Sequence, residues 1–568
     1  MHDDRFQFPM MFAAWLERLC RRALYVLCAA LLVGHCAHAD EPASPLDALR
    51  LPKLIHSAIG VTRAGQAIPC VTHEEDLDLH TKKCRVLLVA GLDGADASIK
   101  SAIDYARWFY TDAAAAEHRQ RYLVSLVAVG PGAAGAEYPP GDEFYTSPNH
   151  PDAQYLWRWI GMHAPDLVIE LDAQPSTGGF VGPHWLSSAV DQSAPCMTGA
   201  ISGRKVALPT ENLNELLSRE VASADVSPAR RELQHRLDRS ATQVATQLSV
   251  VYGHELKTVQ YIPAVALVGR VRLGTLTGDA AQLADVERIV APFREGRPTI
   301  SKSPSGSDIA GRLIFGTLAE ATGDKRYIAL VKQAADLAFD ADGKPRESMP
   351  AHSEMSDAVF MACPVLAQAG KLTGEPKYFA ICLRHLRFMN RLDLRSDGLY
   401  RHSPLCEAAW GRGNGFPALG LTLVLGDMPA DCPERAEVLA VHRAHLDALL
   451  KHQDTTGCWH EVIDHPESYR ELTATCMITM ALARGVRFGW LEGDRYRKAL
   501  ERGWYAIRTR TADDGTLVDV CASTGKQKSL RDYYDRPAIL GRDPRGGAMS
   551  LLAAIEMIEY ERYRQGTK

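Results

Sequence analysis

Hydrophobic and polar positions along this chain fall into two textures. Between residues 84 and 172, short apolar runs alternate with helical ones. "CRVLLVAGLDG" predicts a buried strand ending in a glycine-rich turn, and "ASIKSAIDYARWFYTDAAAA" a helix after it. "RYLVSLVAVGP" predicts a second strand, "DAQYLWRWIGMHA" a second helix and "PDLVIELDA" a third strand. Strands that are apolar throughout, separated by helices, predict a parallel sheet covered on both faces. Residues 216–254, which include "SREVASADVSPARRELQHRLDRS", are polar and helical and read as a linker or packing arm.

From about residue 258 the pattern is helical almost to the end, with a weak repeat. Helix ends recur in "LTGDAAQL", "ATGDKRYIAL", "LTGEPKYFAI", "VLGDMPAD" and "LEGDRYRKAL". Their glycines, Gly278, Gly323, Gly374, Gly426 and Gly493, are 45, 51, 52 and 67 residues apart. Each follows an apolar run and suits the left-handed cap that ends a helix, and the acid after it can start the next. That spacing holds a helical hairpin and a loop, so the repeat predicts an α-solenoid or a toroid of hairpins. Irregular loops rich in Trp, His, Gly and Arg favour the closed toroid, with its site at one mouth.

Four stretches of the helical half carry candidate chemistry. In "EMSDAVFMACP", Asp357 shares a helix face with Phe360, Met361 and Pro364 at i+3, i+4 and i+7. A carboxylate there is costly unless paired, hydrogen-bonded or employed; the structural alternative is a first-turn acid after Ser356. Asp308 in "SPSGSDIAGRLIF" also starts a helix, where capping is the alternative. In "GLYRHSPLCEAAWGRGNGF", glycines 411, 413 and 415 alternate with Trp410, Arg412, Asn414 and Phe416. Such alternation lets backbone approach closely while side chains converge on a ligand. Arg412 suits bidentate capture of a carboxylate and Trp410 offers a stacking face; a glycine-rich helix contact is the alternative. In "CWHEVIDHPESYRELTATC", Trp459 and His460 end a loop and Glu471 opens a helix as a first-turn acid. A lone histidine such as His402 or His460 is more often structural than catalytic. Together these residues form a carbohydrate-site inventory: carboxylates for proton transfer, aromatics for stacking, Arg for an acidic group.

The chain has 568 residues, 46% hydrophobic and 23% charged, an ordinary globular balance with room for two or three domains. A net charge of −5 without a long basic run argues against nucleic acid as a partner. The N-terminus carries "RLCRR", then the apolar "ALYVLCAALLVG", then "AHA" at 37–39, which predicts an export signal cleaved before Asp40. Its apolar core is shorter than the ~20 residues a bilayer span needs, so the mature protein is expected to be periplasmic or secreted and free of the membrane. Ten of the 13 cysteines follow residue 39, and Cys70 and Cys84, flanking a short charged loop, are the expected disulfide. No Cys-x-x-Cys or His-x-x-x-His spacing predicts zinc.

In order, "SDIAGRLIF…TGD", "MSDAVFMACPVL", "GLYRHS…WGRGNGF", "WHEVID…YRELTATCMITMALARGVRFGWL" and "DRPAILGRDPRGGAMSLLAAIEM" resemble the unsaturated glucuronyl and rhamnogalacturonyl hydrolases, glycoside hydrolase families 88 and 105. The resemblance covers roughly 255–565. It implies an (α/α)6 barrel, no metal or other cofactor, and an acidic oligosaccharide ending in a C4=C5-unsaturated uronic acid. It further implies that an Asp protonates the vinyl ether carbon and activates water for addition at C5, after which the hemiketal rearranges and releases the next sugar. By the same resemblance Asp357 is the general acid/base and Asp308 the second acid, and His402, Trp410 and Arg412 match substrate-binding positions; Asn414, Trp459 and His460 are further candidate substrate contacts from their place in these stretches. The segment before Asp357, "GKPRESMPAHSE", departs from the family's aromatic-His pattern, and the barrel reads as short at its N-terminal end.

The first half resembles the core of zinc carboxypeptidases and related deacylases through "VLLVAGLDGAD", "YPPGDEFYTSPNHPDAQYLWRWI" and "APDLVIELDA". Asp93, Asp96 and Asp172 stand where that family binds zinc, and three carboxylates without imidazole suit a hard cation such as Ca²⁺ better. A degenerate, non-catalytic domain is the reading. The whole predicts a mainly α protein: a signal at 1–39, an α/β domain with a mostly parallel sheet at 40–215, a helical linker at 216–254 and an (α/α)6 barrel at 255–568. The competing functions are another barrel enzyme (a lyase or an ordinary glycosidase) and a sugar-binding protein without catalysis.

Overall fold

The computed structural model describes residues 44–130, 135–141, 150–173, 185–208, 212–298 and 303–566, so the export signal lies outside the described residues. The described residues open on a 3-10 turn, Pro45–Leu49. Six strands follow: β1 Leu54–Val61, β2 Ala67–His73, β3 Cys84–Ala90, β4 Tyr122–Ala128, β5 Leu167–Asp172 and β6 Ser202–Ala207. They form one sheet in the order β1-β2-β4-β3-β5-β6. The apolar runs of β3, β4 and β5 pair in parallel as predicted, and β6 extends them, while β1 and β2 add an antiparallel edge. Helices α1 (Asp96–Thr111) and α2 (Pro151–His163) cover it. At Gly60 a Cβ would sit 2.1 Å from the Tyr155 ring, so glycine there admits α2 onto β1.

The expected Cys70–Cys84 disulfide is absent: both thiols are free, as are all described cysteines. Cys70 pairs with Val127 and Cys84 with Tyr122, five residues apart along β4. At ~3.3 Å per residue that offset is about 16 Å, far beyond disulfide reach.

The helical half closes into a ring. Helices α3 (Pro228–Asp238) and α4 (Ala241–Val251) enter it. The inner helices are α5 (Tyr261–Thr277), α7 (Leu313–Thr322), α9 (Ala358–Thr373), α11 (Gly411–Asp427), α13 (Leu472–Arg487) and α15 (Pro544–Arg564). Each packs on the next, and α15 returns to α5. Outside them lie α4 itself, α6 (Ala280–Arg294), α8 (Arg326–Ala335), α10 (Lys377–Asp393), α12 (Arg435–Leu450) and α14 (Asp494–Thr509), with α4 packed on α15. The toroid is therefore closed, and the helix that its N-terminal end lacks by pattern is α4, inside the polar stretch read as linker.

Glycine caps account for part of the repeat. Gly278, Gly323 and Gly374 end α5, α7 and α9 in the left-handed conformation. Gly426 instead lies within α11, and Gly493 precedes α14 with φ 110° and ψ 157°. The inner helices run in parallel, as their C-terminal ends show: Lys371 of α9 reaches Asp427 of α11 at 3.0 Å and Glu320 of α7 at 2.6 Å. Their N-terminal ends form the opposite mouth. There the sheet domain docks, Ile59, Tyr155 and Trp157 sharing an apolar cluster with Trp410, Val462, Tyr469, Tyr533 and Ala538. Arg158 donates to the Ala538 carbonyl at 3.1 Å, and Arg63 pairs with Asp535 at 3.2 Å.

Candidate active site

Asp357 stands at the N-terminus of α9, at the mouth. Three non-glycine residues just before it, Ala351, Ser353 and Glu354, have φ of 64°, 52° and 52°. Each costs about 1–2 kcal/mol, strain of a kind that collects at functional sites. The approach to Asp357 is pinned by the Ser356 amide donating to the His402 carbonyl at 3.0 Å. The Asp357 side chain is 13% exposed, and its Oδ1 faces Nε2 of the fully buried His402 at 3.4 Å. Neither of these atoms has another hydrogen-bond partner among the described residues. The other ring nitrogen, Nδ1, lies 2.9 Å from the Tyr533 hydroxyl. The Gln527 amide donates to that same hydroxyl at 3.4 Å, an arrangement that suits a phenolic proton given to His402 Nδ1 and an Nε2–H facing Asp357.

Asp308 has a different occupation. Its Oδ2 accepts from the Ser305 amide at 2.8 Å and the Ser305 hydroxyl at 2.7 Å, completing a capping box. Its short helix packs on α9, where a Cβ on Gly306 would sit 3.2 Å from Met361 Cβ. The structure thus brings the two aspartates' helices together, but gives the Asp308 carboxylate a capping task.

Five expected substrate contacts are committed elsewhere. Trp410 is 1% exposed and donates Nε1–H to Glu461 Oε1 at 2.9 Å, with the Arg412 guanidinium 4.6 Å from its ring. It has no free stacking face, being part of the cluster that seats the sheet domain. Arg412 donates from both terminal nitrogens to the Cys521 and Ala522 carbonyls, each at 2.8 Å, so it anchors a strand end instead of awaiting a carboxylate. Asn414 binds the Tyr400 amide and carbonyl and the Trp410 carbonyl with its own amide group. Trp459, fully buried, donates to the Leu449 carbonyl at 2.8 Å. His460 lies 2.6 Å from the Ser468 carbonyl and 3.4 Å from Asp454. Glu471 caps α13. These are structural uses; only His402 stands against Asp357.

Two unpredicted carboxyl groups accompany the site. Glu461 is fully buried and its Oε2 has no partner among the described residues. Burial pushes its carboxyl up to about 8, with the Glu471 charge adding to the shift. Asp393, 1% exposed with neither oxygen hydrogen-bonded, is likewise pushed up to about 8 by burial, opposed by Arg401 and reinforced by Asp357. Asp393 was legible: it follows Leu386 and Met389 at i+7 and i+4 on one helix face, the same pattern that marks Asp357. Tyr533 carried no such signal, because its partner is 131 residues away.

The proposed cation positions of the sheet domain are also occupied by protein. Asp93 accepts from the Ala95 amide, the Ser98 hydroxyl and the Ala173 amide at 3.0, 2.9 and 2.7 Å. Asp172 pairs with Lys205 at 2.8 Å, and Asp96 is exposed at the start of α1. The three do not converge.

Residues 235–561, more than half of the chain, match the model of Glycosyl Hydrolase Family 88. The chain belongs to that family. The unsaturated 3S-rhamnoglycuronyl hydrolase of Alteromonas sp. (strain LOR) is 32% identical over 217 residues, covering 36% of this chain and 50% of that protein. The unsaturated rhamnogalacturonyl hydrolase YesR of Bacillus subtilis (strain 168) is 26% identical over 266 residues, 43% of this chain and 74% of that one. The chain thus spans about half the length of the first of these relatives. A solved structure from Salmonella enterica, described as a possible member of the GH105 family, aligns at a TM-score of 0.48 with 23% identity, over 58% of this chain and 94% of its own.

Proposed function

We propose that this family member hydrolyses oligosaccharides that end in a 4,5-unsaturated uronic acid. The observation that carries the reading is the Asp357–His402–Tyr533 array at the barrel mouth. A partly exposed carboxyl group beside a buried imidazole is placed to give and take a proton at a sugar bound over the mouth. Asp357 protonates the vinyl ether carbon, then accepts a proton from the water that adds at C5. The hemiketal so formed rearranges and releases the next sugar. His402, with Nδ1 engaged by Tyr533, turns an N–H toward Asp357 and steadies the carboxylate between the two proton transfers. An acidic substrate is supported by the ring itself, since six inner helices direct their N-terminal, positive ends to one mouth. Relatives named for unsaturated rhamnoglycuronyl and rhamnogalacturonyl hydrolysis support the same substrate class.

The remaining expectations join this proposal. The "RLCRR…AHA" segment supports export to the periplasm or beyond. The sheet domain is read as a non-catalytic carboxypeptidase-like module forming one shoulder of the mouth, supported by its strand order and by the committed Asp93 and Asp172. The test is a panel of lyase-digested acidic polysaccharides followed by loss of the unsaturated-uronate absorbance. At least one digest is expected to lose it with wild-type protein and none with Asp357→Asn. Binding of such digests without turnover would mark a sugar-binding protein instead.

A further inference from the structure

Between the sheet domain and the barrel lies a partly open cavity of about 80 Å³, sharing part of its lining with a smaller one of about 20 Å³. The larger volume holds roughly five to eight water-sized atoms at ~10–15 Å³ each. Arg470 and Arg510 line both cavities. Three of the four arginines around them are matched: Arg85 with Asp76 at 2.6 Å, Arg158 with Asp519 at 3.4 Å and Arg470 with Asp454 at 2.5 Å. Arg510 is not. It is 3% exposed, its Nε has no hydrogen-bond partner among the described residues, and it shares the single charge of Asp519 with Arg158 and Arg470. A buried guanidinium is costly when nothing neutral or negative receives its protons. Thr72 from the sheet domain and Thr455 from the barrel add hydroxyls to the same wall.

We propose that this interdomain cavity binds a small inorganic oxyanion, sulfate or phosphate, which receives the Arg510 guanidinium and fastens the sheet domain to the barrel. A tetrahedral oxyanion fits both the volume and the chemistry. Its four oxygens accept from the planar fork of Arg510, from the remaining N–H groups of Arg470 and from the two threonine hydroxyls. Bound there, it stabilises only the docked arrangement, because its donors come from both sides. The site is independent of the reading of the barrel mouth as an active site.

The experiment compares wild type with Arg510→Met and Arg510→Lys by thermal melting, in chloride and in sulfate or phosphate at matched ionic strength. Wild type is expected to gain several degrees, saturably, as sulfate or phosphate is added, and Arg510→Lys to keep part of the gain. Arg510→Met is expected to melt at or above wild type in chloride, having lost an unmatched charge, and to gain nothing specific from the anions. An equal gain in wild type and Arg510→Met, the signature of general salting-out, overturns the proposal. Equilibrium dialysis of labelled sulfate against the wild-type protein keeps the idea testable if a variant fails to fold. One sulfate held per chain is the expected result, and none held overturns it.

Discussion

The two ends of the barrel handle buried carboxyl groups in opposite ways. Toward the C-terminal ends of the inner helices, Glu556 of α15 is fully buried but meets Arg272 of α5 at 2.7 Å and Arg487 of α13 at 3.1 Å, with Arg484 beside them. Burial alone would raise its carboxyl; those arginines hold it well below the usual range, so it stays charged. At the mouth, Glu461 and Asp393 are as deeply buried, and the arginines near them, Arg412 and Arg401 (3.9 Å from Asp393), do not offset the burial, so both carboxyls are pushed up to about 8. One end thus spends ion pairs on binding helices together. The other leaves buried carboxyl oxygens, Glu461 Oε2 and both of Asp393, without a hydrogen-bond partner among the described residues, an arrangement that serves chemistry better than stability.

The difference can be broken from either end. Replacing Asp357 with Asn is expected to lower kcat about 10²–10⁴-fold, the usual contribution of a general acid, while Asp308→Asn, which keeps its cap, leaves activity near wild type. Steady-state rates on one hydrolysable digest check both. Away from the mouth, Glu556→Gln leaves three arginines facing a neutral amide. A loss of about 3–5 kcal/mol in urea unfolding is expected, with the mouth chemistry intact in the folded fraction. Next in size is a pH effect. Folded Glu461 titrates at about 8 against 4.5 for an ordinary glutamate, so its contribution to stability is complete below pH 4.5 and lost as pH rises toward 8. Melting temperature should fall across that window, and Glu461→Gln should flatten the fall; an unchanged slope would place the titration elsewhere. Tyr533→Phe removes one hydrogen bond to His402, expected to cost up to about tenfold in kcat through ~0.5–1.5 kcal/mol. A displaced pH–rate profile would separate that effect from simple misfolding. Smallest is Lys526→Ala, which breaks a pair with Glu354 at 3.2 Å whose partners are 32% and 56% exposed. A change within ~0.2–1 kcal/mol in the same urea titration is expected.

Much of the architecture is legible in the sequence because it rests on local rules. Apolar runs at β3, β4 and β5 need burial on both faces, and Gly278, Gly323 and Gly374 need positive φ, whatever surrounds them. The edge strands are another matter: "SGRKVA" of β6 is polar, and only its register with β5 makes it a strand. The polar face of α4 likewise hides an outer barrel helix, whose buried Ala241, Val244, Ala245 and Leu248 make up one face. At the mouth, residue type predicts chemistry that geometry has reassigned. Arg412 and Trp410 suit a sugar acid by type, yet the carbonyls after β-strand Leu517–Cys521 and the docked sheet domain claim them first. Asp357 is marked in the sequence as an acid among apolar positions, while its link through His402 to Tyr533 depends on a chain crossing that no local pattern encodes.

The seam of the ring, where α15 closes onto α4 and α5, sets the order of events during synthesis. The apolar surface of α5 is made early, but its neighbour α15 leaves the ribosome only after 287 further residues (277 to 564). At ~5–20 residues per second that interval is roughly 15–60 s, during which the nascent half-ring carries an unsatisfied inner face. The last strand of the sheet is made by residue 207, but the core it shares with Ala229, Leu233 and Leu237 and with Trp410, Val462, Tyr469 and Tyr533 closes only once most of the barrel has been made.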